Sequence, residues 1–127
     1  MDPRVKSMVV VRNVALGLLD RELRMDAMID SGATFCVVPP SVAHILGFNY
    51  SNRISAQRVN VVGGQVMMDI HTLEYLRVGT AQVHHVRFGV CGTGPGSRFM
   101  LVGLSFMQHF RTTLDLHGVR VLFRPTT

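Results

Sequence analysis

The chain has 127 residues, of which 47% are hydrophobic and 17% charged, and its formal net charge is +5. This length suits a single domain spanning residues 1–127, and the composition excludes intrinsic disorder. Tryptophan is absent and long Glu/Lys-rich amphipathic runs are missing, so a helical bundle is not expected either.

The amino terminus, Met1-Asp2-Pro3-Arg4, lacks the apolar core of a signal peptide. No run approaches the roughly 18 apolar residues of a membrane span, so we expect no membrane segment in this chain. The sequence does not define a localisation. It favours the cytoplasm and leaves open whether the domain is excised from a larger protein.

The first predicted elements are two strands of a hairpin, residues 7–12 and 23–29, joined by a turn across residues 13–20. The second strand alternates, and its apolar face carries Leu23, Met25, Ala27 and Ile29. The hairpin therefore delivers Asp30 at the end of its second strand.

An apolar run, Ala27-Met28-Ile29, leads directly into the segment Asp30-Ser31-Gly32-Ala33-Thr34. A carboxylate in apolar surroundings is costly unless it is hydrogen-bonded. Gly32 allows a tight turn that brings N–H groups near the carboxylate, and the hydroxyls of Ser31 and Thr34 can donate to it or to each other. On these residues alone, an ordinary turn at a strand end is an equally good interpretation.

A short buried strand over residues 35–38 is stopped by Pro39-Pro40. Ser41 is predicted to cap a helix over residues 42–46, which Gly47 ends.

A long hairpin is predicted next, with strands over residues 55–62 and 65–77 joined by Gly63-Gly64. Its tip is apolar and flexible, whereas an ordinary hairpin tip is usually polar. The alternating apolar residues of the two strands are Val59, Val61, Val66, Met68 and Ile70.

A further strand over residues 83–91 and a loop over residues 92–97 precede the apolar stretch Phe99-Met100-Leu101-Val102-Gly103. The following residues, 104–110, are predicted to be helical, with Leu104, Met107 and Phe110 on one face. By itself this pattern is most simply a core strand feeding a packing helix. Residues 113–117 alternate again, and Gly118 turns into a terminal strand over residues 119–123.

Two of these stretches resemble the hallmarks of retropepsin-like aspartic proteases, the single-lobed family of the retroviral type. Asp30-Ser31-Gly32-Ala33-Thr34 is similar to the catalytic loop, and Leu101-Val102-Gly103 with its short helix is similar to the second motif. The resemblance covers roughly residues 7–123. It implies an all-β fold, a closed barrel or sandwich with one or two short helices, that acts as a two-fold homodimer.

The chain departs from the family pattern at two positions. Bacterial and retroelement members often have an aspartate where this chain has Ser105. Retroviral enzymes carry an arginine that braces the dimer where this chain has Leu104. The second departure concerns the details of dimer packing and not the fold.

The resemblance implies an aspartic endopeptidase in which Asp30 of each copy acts on water and on an extended peptide substrate. Ser31, Gly32, Ala33 and Thr34 would support the catalytic loop, and the glycine-tipped hairpin would be a flap. The residues implied in the flap and in the substrate subsites are Val61, Val62, Gly63, Gly64, Gln65, Met68, Val102 and Leu104. No metal or organic cofactor is implied.

Two other interpretations remain open. The chain could be a catalytically silent module of the same fold, kept for dimerisation or peptide binding. The basic charge also suggests a nucleic-acid-binding β-barrel, although dense basic patches and stacking aromatic residues are missing, so nucleic acid is not an expected partner. Cys36 and Cys91 have no metal-binding spacing; we interpret them as small buried apolar residues, with a disulfide left open.

Overall fold

The computed structural model describes residues 9–61, 63–115 and 120–125. The predictions for residues 7–8, Val62 and residues 116–119 lie outside this part of the chain. The helices of the described residues are α1 (Pro40–Ile45) and α2 (Leu104–Met107), and 3-10 turns cover Tyr50–Asn52 and Pro95–Ser97. The strands are β1 (Val9–Gly17), β2 (Glu22–Ile29), β3 (Cys36–Val37), β4 (Ser55–Val61), β5 (Gly64–Val78), β6 (Ala81–Val90), β7 (Met100–Val102), β8 (Phe110–Asp115) and β9 (Arg120–Pro125).

Six of the strands close into a barrel. Their order is β1-β2-β7-β3-β6-β5, and β5 pairs back onto β1 to complete the ring. The short strand β7 runs parallel to β2, and β3 runs parallel to β6. Strand β4 extends the sheet beside β5, and β8 and β9 form a separate two-stranded sheet. The predicted all-β fold with a closed barrel and short helices is confirmed.

The first strand continues beyond its predicted end. The turn predicted over residues 13–20 is confined to residues 18–21, because Val14, Ala15 and Leu16 are buried in the barrel. The register of β1 against β2 shifts between Val11 and Val14, where Asn13 has a φ of 56°. This irregularity broke the alternation in the sequence and made the strand resemble a turn.

The barrel is filled by one large cluster of apolar side chains, which includes Leu16, Leu73, Leu76 and Phe88. Burying a side chain of this size contributes about 1.5–3 kcal/mol. Phe106 of α2 contacts Phe110 and Phe123 at ring-centroid distances of 5.3 and 5.4 Å. These aromatic contacts attach the β8–β9 sheet to the barrel.

The barrel seam between β1 and β5 is reinforced by Glu22. Its carboxylate accepts hydrogen bonds from the Tyr75 hydroxyl at 2.6 Å and the Arg77 guanidinium at 2.9 Å. The pKa of Glu22 is lowered to about 2; the hydrogen bond from Tyr75 has the largest effect and the hydrogen bond from Arg24 the second largest. At the same seam a Cβ on Gly17 would lie 2.0 Å from the Tyr75 ring, so only glycine fits there.

Each of the two helices differs from its prediction at one end. Helix α1 begins with Pro40, and Pro39 is its N-cap, so Ser41 lies inside the helix and does not cap it. Proline suits a first helical position because the N–H that it lacks has no partner there. Gly47 has a φ of 92° and ends the helix as predicted: the N–H groups of Gly47 and Phe48 donate to the carbonyls of His44 and Ala43.

Helix α2 ends at Met107, and Phe110 begins β8 and is not helical. Among the described residues, no helix is long and apolar enough to cross a membrane. Cys36 and Cys91 are buried free thiols, which confirms their interpretation as apolar residues and excludes the disulfide left open above.

Candidate active site

Asp30 stands directly after β2, where the chain leaves the barrel. Its backbone N–H donates to the carbonyl of Val102 on the neighbouring strand β7 at 3.0 Å. The chain then turns, so that the Gly32 N–H donates to Oδ1 of Asp30 at 2.9 Å and the Ala33 N–H donates to the Asp30 carbonyl at 3.2 Å. The half-exposed carboxylate is therefore held in one orientation by its own loop.

The second apolar stretch lies against this loop. The N–H groups of Leu104 and Ser105, at the start of α2, donate to the carbonyls of Ala33 and Thr34 at 2.8 and 2.9 Å. A Cβ on Gly103 would lie 2.4 Å from the Phe35 carbonyl oxygen, so a side chain there would push the loop away. The two stretches that resemble family motifs thus form one hydrogen-bonded unit.

Ser105 connects this unit to strand β6. Its hydroxyl accepts a hydrogen bond from the Cys36 N–H at 2.9 Å and donates one to the Arg87 carbonyl of β6 at 2.8 Å. The Gly103 N–H contacts the Cys36 sulfur at 3.4 Å, and burial raises the pKa of this thiol. A neutral hydroxyl can accept and donate at once, whereas a carboxylate could only accept. Sequence analysis noted Ser105 as a departure from the family but missed this contact.

The hydroxyl groups of the loop have a different position from the one expected. Ser31 and Thr34 are both exposed. Within the described ranges neither donates to Asp30, which receives its hydrogen bond from Gly32. The expected hydroxyl donors therefore do not bind the carboxylate, and a backbone amide takes that role.

The β4–β5 hairpin closes at the Val61–Gly64 pair, so the turn lies one residue earlier than predicted. Gly63 and Gly64 have φ values of 92° and 142°, and next to them the Gln65 amide donates to Asn60 at 3.0 Å. Residues with positive φ of this kind favour glycine.

Near its tip, this hairpin packs on an apolar cluster that also contacts residues flanking the Asp30 loop. Val59 and Val66 contact a second apolar cluster that contains Met68 and Leu101. Met28 and Phe35, which flank the Asp30 loop in the chain, pack against the same cluster. The hairpin and the residues that flank the carboxylate loop therefore pack against the same apolar cluster.

The apolar residues expected to form subsite walls differ in exposure. Met68 is 7% exposed, Val102 is completely buried, and Leu104 is 41% exposed. A side chain without exposed area cannot contact a peptide, so we correct the expectation for Val102, which supports Asp30 through its carbonyl. The sequence did not single out Met28 and Phe35 as site residues; both are half-buried and flank the loop.

An apolar pocket of about 330 Å³ opens next to the Asp30 loop. The Oγ1 atom of Thr112 is buried there and has no hydrogen-bond partner among the described residues. Most buried polar atoms in proteins are hydrogen-bonded, so this hydroxyl is an exception. The residues that line this pocket are Ser31, Leu104, Met107, Gln108, Phe110 and Thr112.

The other carboxylates whose side chains are described have partners elsewhere. The contacts pair Asp20 with Arg21, Glu22 with Arg24 and Arg77, Asp26 with Asn13, Asp69 with Arg53, and Glu74 with His85. None of these contacts involves Asp30. The described part of the chain also contains no group of three or more His, Cys, Asp or Glu side chains arranged to hold a metal ion.

Comparison with known proteins agrees with this geometry. Residues 17–109 match the family model of the gag-polyprotein putative aspartyl protease, a range that includes both the Asp30 loop and the β7–α2 unit. Among solved structures, a retropepsin-like aspartic protease from Rickettsia conorii aligns with a TM-score of 0.58 at 19% identity, covering 86% of this chain and 88% of that one. No curated protein matches the chain. The fold is therefore retropepsin-like.

Proposed function

Since the chain belongs to the family of gag-polyprotein putative aspartyl proteases, we propose that it is an aspartic endopeptidase that works as a homodimer. The observation that carries the proposal is the Asp30 carboxylate, held at the end of β2 by the Gly32 N–H at 2.9 Å. A catalytically silent copy of the fold has no chemical need for a carboxylate oriented in this way.

Aspartic protease chemistry requires two carboxylates that share a proton. The other described carboxylates are engaged elsewhere, so the second carboxylate is supplied by Asp30 of another copy across a two-fold axis. Close like charges cannot both ionise, so the pair titrates with two separate apparent pKa values. One carboxylate then takes a proton from water while the other donates to the substrate, and activity follows a bell-shaped pH profile.

The pocket of about 330 Å³ beside the loop is the proposed contact surface for the second copy. It adjoins Ser31 and it carries the exposed Leu104. An incoming segment of the second copy would cover the leucine. The exposed hydroxyls of Ser31 and Thr34 would then lie where the two loops meet.

The β4–β5 hairpin is the proposed flap. It packs on the same apolar cluster as Met28 and Phe35. Its positive-φ glycines give the tip the freedom to move over an extended peptide. Closure would exclude water from the two carboxylates. The proposed subsites are apolar, with Met28 and Met68 as wall residues and with Val61, Gly63, Gly64 and Gln65 covering the peptide backbone.

The test is cleavage of a mixed peptide library from acid to neutral pH at high protein concentration. The native chain is expected to cleave, and the Asp30→Asn variant is expected to be inactive because the amide keeps the shape but cannot share a proton. Asp26→Asn is the matched control: it changes a carboxylate on the same strand that accepts a bond from the Asn13 backbone, which an amide oxygen can also accept.

Analytical sedimentation of the same samples decides how a negative result is interpreted. A dimer that cleaves nothing over the whole pH range would overturn the proposal and favour a silent binding module. Cleavage that persists in Asp30→Asn would also contradict it, because the activity would then come from another site or a contaminant.

A further inference from the structure

A second pocket, of about 230 Å³, lies away from the Asp30 loop at the base of the β4–β5 hairpin. Its walls come from α1, the 3-10 turn after it, and strands β5 and β6. The lining combines aromatic and apolar side chains with polar ones: Pro40, Ala43, His44, Phe48, Asn49, Tyr50, Asp69, His71 and Val90. A space of this volume suits a group of one or two rings and not an extended peptide.

His71 is the unusual member of this lining. It is only 2% exposed, and its ring contacts those of Phe48 and Phe88 at centroid distances of 4.9 and 5.6 Å, while these two rings also contact each other. Among the residues that the structure describes, neither ring nitrogen has a hydrogen-bond partner. The unpaired nitrogen is therefore available to accept a hydrogen bond from a group bound in the pocket. Because burial lowers its pKa, the imidazole is neutral at pH 7 and presents one nitrogen as an acceptor.

The charges around the pocket already balance. Oδ1 of Asp69 pairs with the Arg53 guanidinium at 2.8 Å, and the same guanidinium lies 3.9 Å from the centre of the Tyr50 ring. An ionic ligand would therefore have to displace an existing partner. A neutral ligand would not, and the aromatic walls favour a flat ring.

We propose that this pocket binds a neutral aromatic group carrying a hydrogen-bond donor, such as a phenol or an indole, with His71 as the acceptor. The ring of the ligand would lie against Phe48 and Tyr50, and its O–H or N–H would reach the free imidazole nitrogen. This site is separate from the proposed proteolysis, and its test does not depend on activity.

The experiment is a titration of the ¹⁵N-labelled chain at pH 7 with phenol and, separately, with toluene, followed by backbone amide shifts. Phenol is expected to give saturable shifts at Ala43, Phe48, Tyr50 and Val90. Toluene fills the same space without a donor and should bind about tenfold more weakly, the factor that corresponds to about 1.4 kcal/mol for one hydrogen bond to a buried acceptor.

Two variants locate the acceptor. His71→Phe keeps an aromatic ring in contact with Phe48 and Phe88 and should reduce phenol affinity to that of toluene, whereas His84→Phe, at an exposed histidine of β6, should change nothing. Because His71 is buried, Tyr50→Ala provides a second variant at a side chain that is 69% exposed. It removes one wall and should weaken binding of both probes.

The proposal is overturned if phenol gives no saturable shifts at the pocket up to its solubility limit, or if phenol and toluene bind equally. It is also overturned if folded His71→Phe binds phenol as the native chain does. A capped Ala-Tyr-Ala peptide separates the two sources of the ligand. Binding at least as tight as phenol indicates a tyrosine side chain of a polypeptide, and weaker binding indicates a free small aromatic molecule.

Discussion

The Ser105 hydroxyl braces the Asp30 loop with a neutral group that both accepts and donates a hydrogen bond. The hydroxyl links the N–H of Cys36 to the carbonyl of Arg87, and so ties the strand after the Asp30 loop to β6. An aspartate at this position would bring a negative charge behind the loop and would have no proton for the carbonyl. The serine therefore fixes the loop in a way that does not depend on pH.

Replacing Ser105 with alanine should destabilise the fold by about 1–3 kcal/mol, because it leaves the Cys36 N–H and the Arg87 carbonyl without their partner. Urea denaturation measures this loss, and amide hydrogen exchange at Cys36 should become faster. Ser105→Thr keeps the hydroxyl and should recover most of the stability.

The matched control for this variant is Ser41→Ala. Ser41 is exposed and lies inside α1, so its removal should change stability by no more than about 0.5 kcal/mol. A cost of about 1 kcal/mol at Ser41 would instead be typical of a lost N-cap. Equal effects of the two alanine variants would contradict the role given to Ser105.

At the level of the elements, barrel closure depends on the seam where Glu22 of β2 meets Tyr75 and Arg77 of β5. The pKa of Glu22 is about 2 in the folded chain, against an ordinary value of 4.5. A carboxylate with a lowered pKa stabilises the fold fully above its unfolded value and loses that contribution as the pH falls through the folded one.

We therefore expect stability to fall between about pH 4.5 and about pH 2 as Glu22 is protonated. Glu22→Gln should flatten this part of the pH dependence, measured by thermal melting at constant ionic strength. Asp20→Asn, at an exposed carboxylate in the adjacent turn, is the control and should leave the dependence unchanged. An identical slope for the native chain and Glu22→Gln would contradict the role of the seam.

The elements also show how far sequence reasoning reaches. The alternation of residues 23–29 and the glycines near residue 63 predicted β2 and the β4–β5 hairpin because these signals are local. The predicted end of β1 was wrong, because the bulge at Asn13 interrupts the alternation of buried and exposed residues. The predicted helix α2 was too long, because Phe110 belongs to β8 and packs on Phe106. The Asp30 loop was predicted from its motif, but Ser105 and Cys36 are 69 residues apart and their contact has no local signal.

At the scale of the whole molecule, the proposed homodimer depends on the pocket beside Ser31. Leu104 at its rim is 41% exposed, and a charge placed there would be buried by a second copy. Leu104→Glu should therefore raise the dimer dissociation constant at least about tenfold, equivalent to about 1.4 kcal/mol. Sedimentation over a concentration series measures this change.

Leu19→Glu provides the comparison, because Leu19 is 89% exposed in the β1–β2 turn and lies outside this pocket. It should leave the dissociation constant unchanged. If Leu104→Glu and the native chain associate equally, this face is not the dimer contact.

The position of β7 between β2 and β3 has a consequence for synthesis on the ribosome. Strands β2 and β3 lie early in the chain, but the strand that joins them comprises Met100–Val102, and the bonds that brace the Asp30 loop come from Leu104 and Ser105. A nascent chain that stops before these residues leaves two open strand edges and an unbraced loop. Open edges invite pairing with other chains, so early termination would favour aggregation. The carboxylate loop takes its final geometry only when translation has passed residue 105.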